Sequence, residues 1–132
     1  MKTSTMKMVH SVDPAEELRK SIGDLSNIKI YNNWILCAVY KRSEQTASGV
    51  FLPDSFRKED EYQGKVGLVV KKGPIAFVDD DRTNFNGQNV ELNDWIVFRA
   101  SDGWSLNVNG VLCRMLQDTN IRMAVPSPDV VF

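Results

Sequence analysis

Residues 28–41 read IKIYNNWILCAVYK, a run dense in branched and aromatic side chains. Such side chains fit a pleated, half-buried surface, so Ile28–Lys41 is expected to be a β-strand. Toward the C-terminus the same chemistry returns in Val66–Lys71, Val90–Arg99, Trp104–Val108 and Val111–Leu116. The residues between these segments are specific turn formers. Asn86-Gly87 and Asn109-Gly110 suit two-residue turns that need positive φ, and Asp102-Gly103 and Lys72-Gly73-Pro74 mark further reversals. Short strands set apart by such turns indicate an all-β chain, a small closed barrel or a sandwich.

One stretch interrupts that rhythm. Residues 43–63, SEQTASGVFLPDSFRKEDEYQ, are mostly polar with one apolar cluster in the middle. A loop of this length inside a compact domain is usually functional or disordered. Toward the N-terminus, residues 1–12 are polar with scattered methionines and read as an arm. A short helix follows. Asp13 is a suitable N-cap, Pro14 fits the first helical position, Glu16 has capping-box spacing, and Gly23 can close the end. Ala15, Leu18 and Ile22 form its apolar stripe, and a helix this short must dock on something to persist. Three parts are therefore expected: an arm with a helix at 1–27, a β domain at 28–125 and a tail at 126–132. Pro126 and Pro128 stop any strand in that tail.

The totals narrow the function. The 132 residues are 42% hydrophobic and 25% charged, as expected of one globular domain with its own core. Sixteen basic and seventeen acidic side chains leave a net charge of -1, which gives no long-range pull toward nucleic acid or an anionic membrane. No apolar run approaches the roughly 20 residues of a membrane span. The first residues lack the apolar core of a signal peptide, so the cytoplasm is the expected location. Cys37 and Cys113 each sit in an apolar segment and are expected to be buried free thiols.

Catalysis finds little footing. His10 is the single histidine and lies in the arm, which leaves a nucleophilic serine or cysteine without a base. The cysteines lack metal-ligand spacing. Asp79, Asp80 and Asp81 suggest a calcium loop, but counting from Asp79 puts Asn84 and Val90 where glycine and glutamate are needed. An exposed acidic turn is the better account. Gly64-x-x-Gly67 precedes a strand and cradles no phosphate convincingly. Tyr31, Trp34, Tyr40 and Trp104 have no basic excess beside them for base stacking, and fit a core or an interface better. No enzyme activity, cofactor, metal or nucleic acid is expected.

The order of these pieces resembles the GroES-like co-chaperonin family over residues 28–125. That family's first strand reads approximately I-K-P-L-N-D-R-V-L-V, against IKIYNNWILC from Ile28 to Cys37. Its mobile-loop signature T-A-G-G-I-V-L-P falls on Thr46–Pro53, TASGVFLP, and Asp54-Ser55 continue a common ending. Its V-K-V-G-D-x-V-x-F falls on Val90–Phe98, VELNDWIVF, and its last segment is matched loosely by Asn109-Gly110 and TNIRMAV. Ile30 stands for the family proline, Asn33-Trp34 for an Asp-Arg pair, Ser48 for a loop glycine and Asn93 for the glycine before Asp94.

The resemblance implies a small GroES-like β-barrel with a long loop, a roof-like hairpin at 75–89 and a ring of seven subunits. It implies that Ser48, Gly49, Val50, Phe51, Leu52 and Pro53 dock on a GroEL-type chaperonin, with Val50, Phe51 and Leu52 as apolar anchors. Burying three such side chains contributes about 1.5–3 kcal/mol each. Ordering the loop costs about 1–2 kcal/mol per residue, so one loop binds weakly and a ring of loops binds tightly. The plainer alternative is a strand edge packed on its own barrel. The resemblance also pairs the first strand of one subunit with the last of its neighbour, here Ile28, Ile30 and Tyr31 against Ile121, Met123 and Val125. The alternative is that both segments close their own barrel. The terminal extensions suggest a second function, a bacteriophage capsid decoration protein (located in the virion) whose arm and tail staple neighbouring capsid subunits.

Overall fold

The computed structural model describes residues 13–41 and 65–131. Helix α1 spans Pro14–Ile22, and six strands follow: β1 Trp34–Val39, β2 Val66–Lys72, β3 Trp95–Val97, β4 Trp104–Val108, β5 Val111–Gln117 and β6 Met123–Val125. All pair antiparallel in one sheet with the order β4-β5-β1-β2-β3-β6. The all-β expectation holds.

The sheet curls around one core. Ile35, Cys37 and Val39 of β1, Val69 of β2, Ile96 of β3 and Leu116 of β5 meet there with Ala76, Val90 and Phe98. In the register of β1 on β2, Leu36 faces Lys71 while Cys37 faces Val69, so Val70 is the extra residue of a bulge. A bulge increases local twist and helps a sheet to bend. At the β4–β5 hairpin, Asn109 and Gly110 have φ of 51° and 82°, as a tight turn between right-twisted strands requires.

The opposite face of the sheet is apolar as well, and this explains the helix. Tyr40, Val66, Leu68 and Trp95 pack with Ala15 and Leu18, while Leu36, Ala38 and Cys113 pack with Ile22. Nine residues of helix are marginal in isolation, so burial of this stripe is what holds α1. Its ends form as expected: the Asp13 carboxylate accepts from Glu16 N at 3.4 Å, and Gly23 N donates to Arg19 O at 3.0 Å. Asn109 Nδ2 adds a 2.7 Å bond to Ile22 O, tying the helix end to the β4–β5 turn. A 3-10 turn, Pro128–Val131, lays Val131 beside α1 on the same face. The described parts of both extensions thus cover their own sheet.

Three expected elements came out shorter or different. The Ile28–Lys41 strand begins only at Trp34, because Asn32 has φ of 57° and Trp34 N closes a turn on Tyr31 O. The Val90–Arg99 strand shrinks to Trp95–Val97, because Asn93 has φ of 76° and Glu91 N is held by the Asp94 carboxylate at 2.9 Å. Residues 75–89 form no strand ladder. They make a folded loop in which Asp80 accepts from Arg82 N and Thr83 N, and Asp79 accepts from Phe85 N. Side-chain turns replace the ladder of the expected roof-like hairpin, as asparagine and aspartate commonly do.

Candidate partner-binding site

Strands β1 and β2 are neighbours, with Val39 opposite Gly67 and Tyr40 N bonded to Val66 O at 2.9 Å. The chain therefore leaves the sheet at Lys41 and re-enters at Lys65, on adjacent strands at one rim. Thr46–Pro53, with Ser48, Gly49, Val50, Phe51, Leu52 and Pro53, lies outside the described residues. Its two anchor points do not.

That rim is closed by a polar cluster which sequence reading missed. The turn after β3 carries Asp102, whose side chain is 4% exposed. Its carboxylate accepts from Arg99 N at 2.9 Å, from Arg99 Nη2 at 3.3 Å and from Arg122 Nη1 at 3.0 Å. Burial pushes this carboxyl up, but those hydrogen bonds and the two guanidiniums outweigh it and hold Asp102 below the usual aspartate value. From β5, the buried Arg114 donates to the carbonyls of Ala100 and Asp102 and lies over the Phe98 ring at 5.5 Å. The cluster links β5 to the approach of β6, across the gap between the two ends of the sheet. The sequence signalled only the Asp102-Gly103 reversal, because its partners lie 12 and 20 residues away.

A second hub anchors the far end. Asp118 accepts from Asn33 Nδ2 and from Phe77 N, both at 3.0 Å, and its own N–H bonds Asn33 O. It fixes the loop at 75–89, where Phe77 and Phe85 meet edge to face at 5.2 Å. The concavity beside it, about 320 Å³, is lined by Ile75, Val78, Asp79, Asp80 and Asp118 among others. Its three carboxylates are occupied by the bonds already given, which build turns.

The interface candidates separate into two groups. Ile121 and Val125 pack inward, whereas Met123 is 47% exposed; β6 pairs with β3 on one side and ends the sheet on the other. Ile28 and Ile30 are half-buried, Tyr31 is 67% exposed, and none of the three joins a strand. Cys37 and Cys113 are buried and unlinked. They lie on adjacent strands but face opposite sides of the sheet, and burial raises their thiols to about 12 and about 11. Tyr40 and Trp95 form an edge-to-face pair in the core, while Trp104 is 53% exposed. Among the described residues, no helix is long and apolar enough to cross a membrane, and no three acidic, histidine or cysteine side chains gather as metal ligands.

Comparison with known proteins agrees with this architecture. A model of the Chaperonin 10 Kd subunit family matches residues 27–125. The chain is 32% identical over 84 residues to the co-chaperonin GroES of Corynebacterium diphtheriae, covering 64% of this chain and 79% of that protein. It is 25% identical over 95 residues to the co-chaperonin GroES of two strains of Nitratidesulfovibrio vulgaris, covering 72% of this chain and 94% of theirs. The match takes in the whole sheet and the segment joining β1 to β2, while α1 and the last 3-10 turn fall outside it. By its sheet and by this match, the chain belongs to the chaperonin 10 Kd subunit family.

Proposed function

We propose that this chain is a co-chaperonin subunit that assembles into a ring and caps a GroEL-type chaperonin through residues 46–53, assisting protein folding. The observation that carries the reading is the position of Lys41 and Lys65, the residues that bracket segment 42–64. They follow β1 and precede β2, neighbouring strands that meet at one rim, and the apolar run Val50-Phe51-Leu52 lies between them in the sequence. Partner binding through that loop needs no catalytic group, which suits a chain whose carboxylates at the two hubs are committed to structural bonds. Ring assembly is supported by β6, which ends the sheet, and by Ile28–Tyr31, which joins no strand of its own sheet. These segments suit the pairing of one subunit's first strand with its neighbour's last.

The capsid-decoration alternative has no comparable observation behind it. The described parts of the extensions lie on their own sheet, and the relatives are co-chaperonins. Sedimentation of the purified chain, alone and mixed with a GroEL-type chaperonin with and without ATP, tests the proposal. The expected result is an oligomer that joins the chaperonin peak when nucleotide is present. A monomer that never joins it overturns the reading.

A further inference from the structure

The segment ahead of the Asn32 turn, Ile28–Tyr31, has the marks of a strand without a ladder. Half-buried Ile28 and Ile30 alternate with exposed Lys29 and Tyr31, the period-two pattern of an extended segment on a surface. Among the described residues, nothing bonds the backbone N–H or C=O of Lys29 and Ile30, or the N–H of Tyr31.

Both ends of the segment are nevertheless pinned. At its start, Ile28 N bonds Leu25 O at 3.0 Å, and the Lys71 ammonium donates to Ile28 O at 2.7 Å. At its end, Trp34 N closes on Tyr31 O at 3.3 Å. Gly73 lets β2 pass so close there that a Cβ would run into the carbonyl oxygens of Tyr31 and Asn32.

Lys71 reaches Ile28 because of the bulge in β2. Val69 packs in the core, so simple alternation would turn Lys71 to the core side as well. The extra residue, Val70, returns Lys71 to the face of its partner Leu36, where Ile30 also packs. Re-aiming one side chain is a common use of a bulge.

An extended segment with open backbone groups takes a strand as its partner. This chain carries a suitable one at an end of its sheet. Strand β6 pairs with β3 alone among the described strands, and its Met123 and Ala124 are exposed. Within one chain no bond between described residues joins β6 to Ile28–Tyr31. Their pairing therefore joins two copies head to tail, the arrangement that closes into rings.

Resting on the ring reading above, we infer that Lys71 is a positioning residue for assembly: from β2 it holds Ile28–Tyr31 extended, as a preformed edge for β6 of a second copy. A segment already extended loses less freedom on pairing than a loose one.

The test is a dilution series by analytical ultracentrifugation of the wild type, Lys71→Met and Lys71→Arg. The Met variant keeps an unbranched stem and loses the donor, whereas the Arg variant keeps a donor. The assembled wild type is expected to protect the amides of Lys29, Ile30 and Tyr31 from hydrogen exchange. Lys71→Met is expected to need about tenfold more protein to assemble, the effect of losing one charged hydrogen bond, and Lys71→Arg to assemble near the wild-type concentration. Thermal midpoints of the dilute, unassembled proteins should be equal. Wild-type assembly by Lys71→Met, or unprotected amides at 29–31 in the assembled wild type, overturns this inference and leaves assembly itself standing. A lowered midpoint in dilute Lys71→Met that accounts for its lost assembly overturns it too, by making Lys71 a plain stabiliser. A wild type that stays monomeric at every concentration removes both this inference and the ring.

Discussion

Arg122 and Asp102 meet in a 3.0 Å ion pair that ties the residue before β6 to the turn after β3, 20 positions earlier. The pair spans the two ends of an otherwise open sheet, and Arg114 completes the closure from β5. Because Asp102 is buried, replacing it with Asn removes a charged acceptor from three donors. We expect Asp102→Asn to cost about 2 kcal/mol in chemical denaturation, the range for hydrogen bonds to charged groups.

The same residue carries a pH signature. Its folded-state carboxyl lies below the aspartate value in an unfolded chain, about 3.9. Its contribution is therefore fully present above about pH 4 and is lost as pH falls from there through the lower folded value. Thermal midpoints of wild type and Asp102→Asn should differ at pH 7 and converge toward pH 2. A constant gap across that range contradicts the assignment.

The β4–β5 turn offers a paired substitution. Asn109 supplies both a positive φ and the 2.7 Å bond to Ile22 O. Asn109→Gly keeps the turn and loses the bond, at about 1 kcal/mol. Asn109→Ala loses the bond and also strains the turn, so it should be the more destabilising of the two in urea unfolding.

The helix is expected to be part of the subunit and not an appendage. Ile22 is 2% exposed against Leu36 and Ala38, so Ile22→Ala should cost about 2–4 kcal/mol. Deleting residues 1–26 uncovers Tyr40, Val66, Leu68 and Trp95, and should yield aggregating protein, read by light scattering. A truncated chain as soluble and stable as the full one contradicts the packing.

Thiol chemistry gives a simple control on the core. With Cys37 and Cys113 buried and raised to about 12 and about 11, neither should react with a thiol reagent at pH 8 in the folded state. Both should react in denaturant.

Where the sequence was legible, a local rule sufficed. Asp13, Pro14 and Gly23 bounded the helix, Asn109-Gly110 made its hairpin, and Trp104–Val108 fell where propensity put it. Where it was not, one asparagine decided. Asn32 and Asn93 take positive φ and cut two long strand signals short, and neither stands beside a glycine that would announce a turn. The interior cluster was hidden for another reason: Arg99, Asp102, Arg114 and Arg122 look like scattered surface charges until β5 and β6 bring them together. Of the expected loop site, the anchor strands were readable from Ile28–Lys41 and Val66–Lys71.

The most direct measurement is nucleotide-dependent capture of the purified chain by an immobilised GroEL-type chaperonin, with Phe51→Asp alongside. The account predicts that the wild type is retained with ATP and released without it, and that Phe51→Asp is not retained while its circular dichroism and thermal midpoint stay at wild-type values. Equal retention of both proteins, or retention of neither, would contradict a loop centred on Val50-Phe51-Leu52 as the partner-binding element.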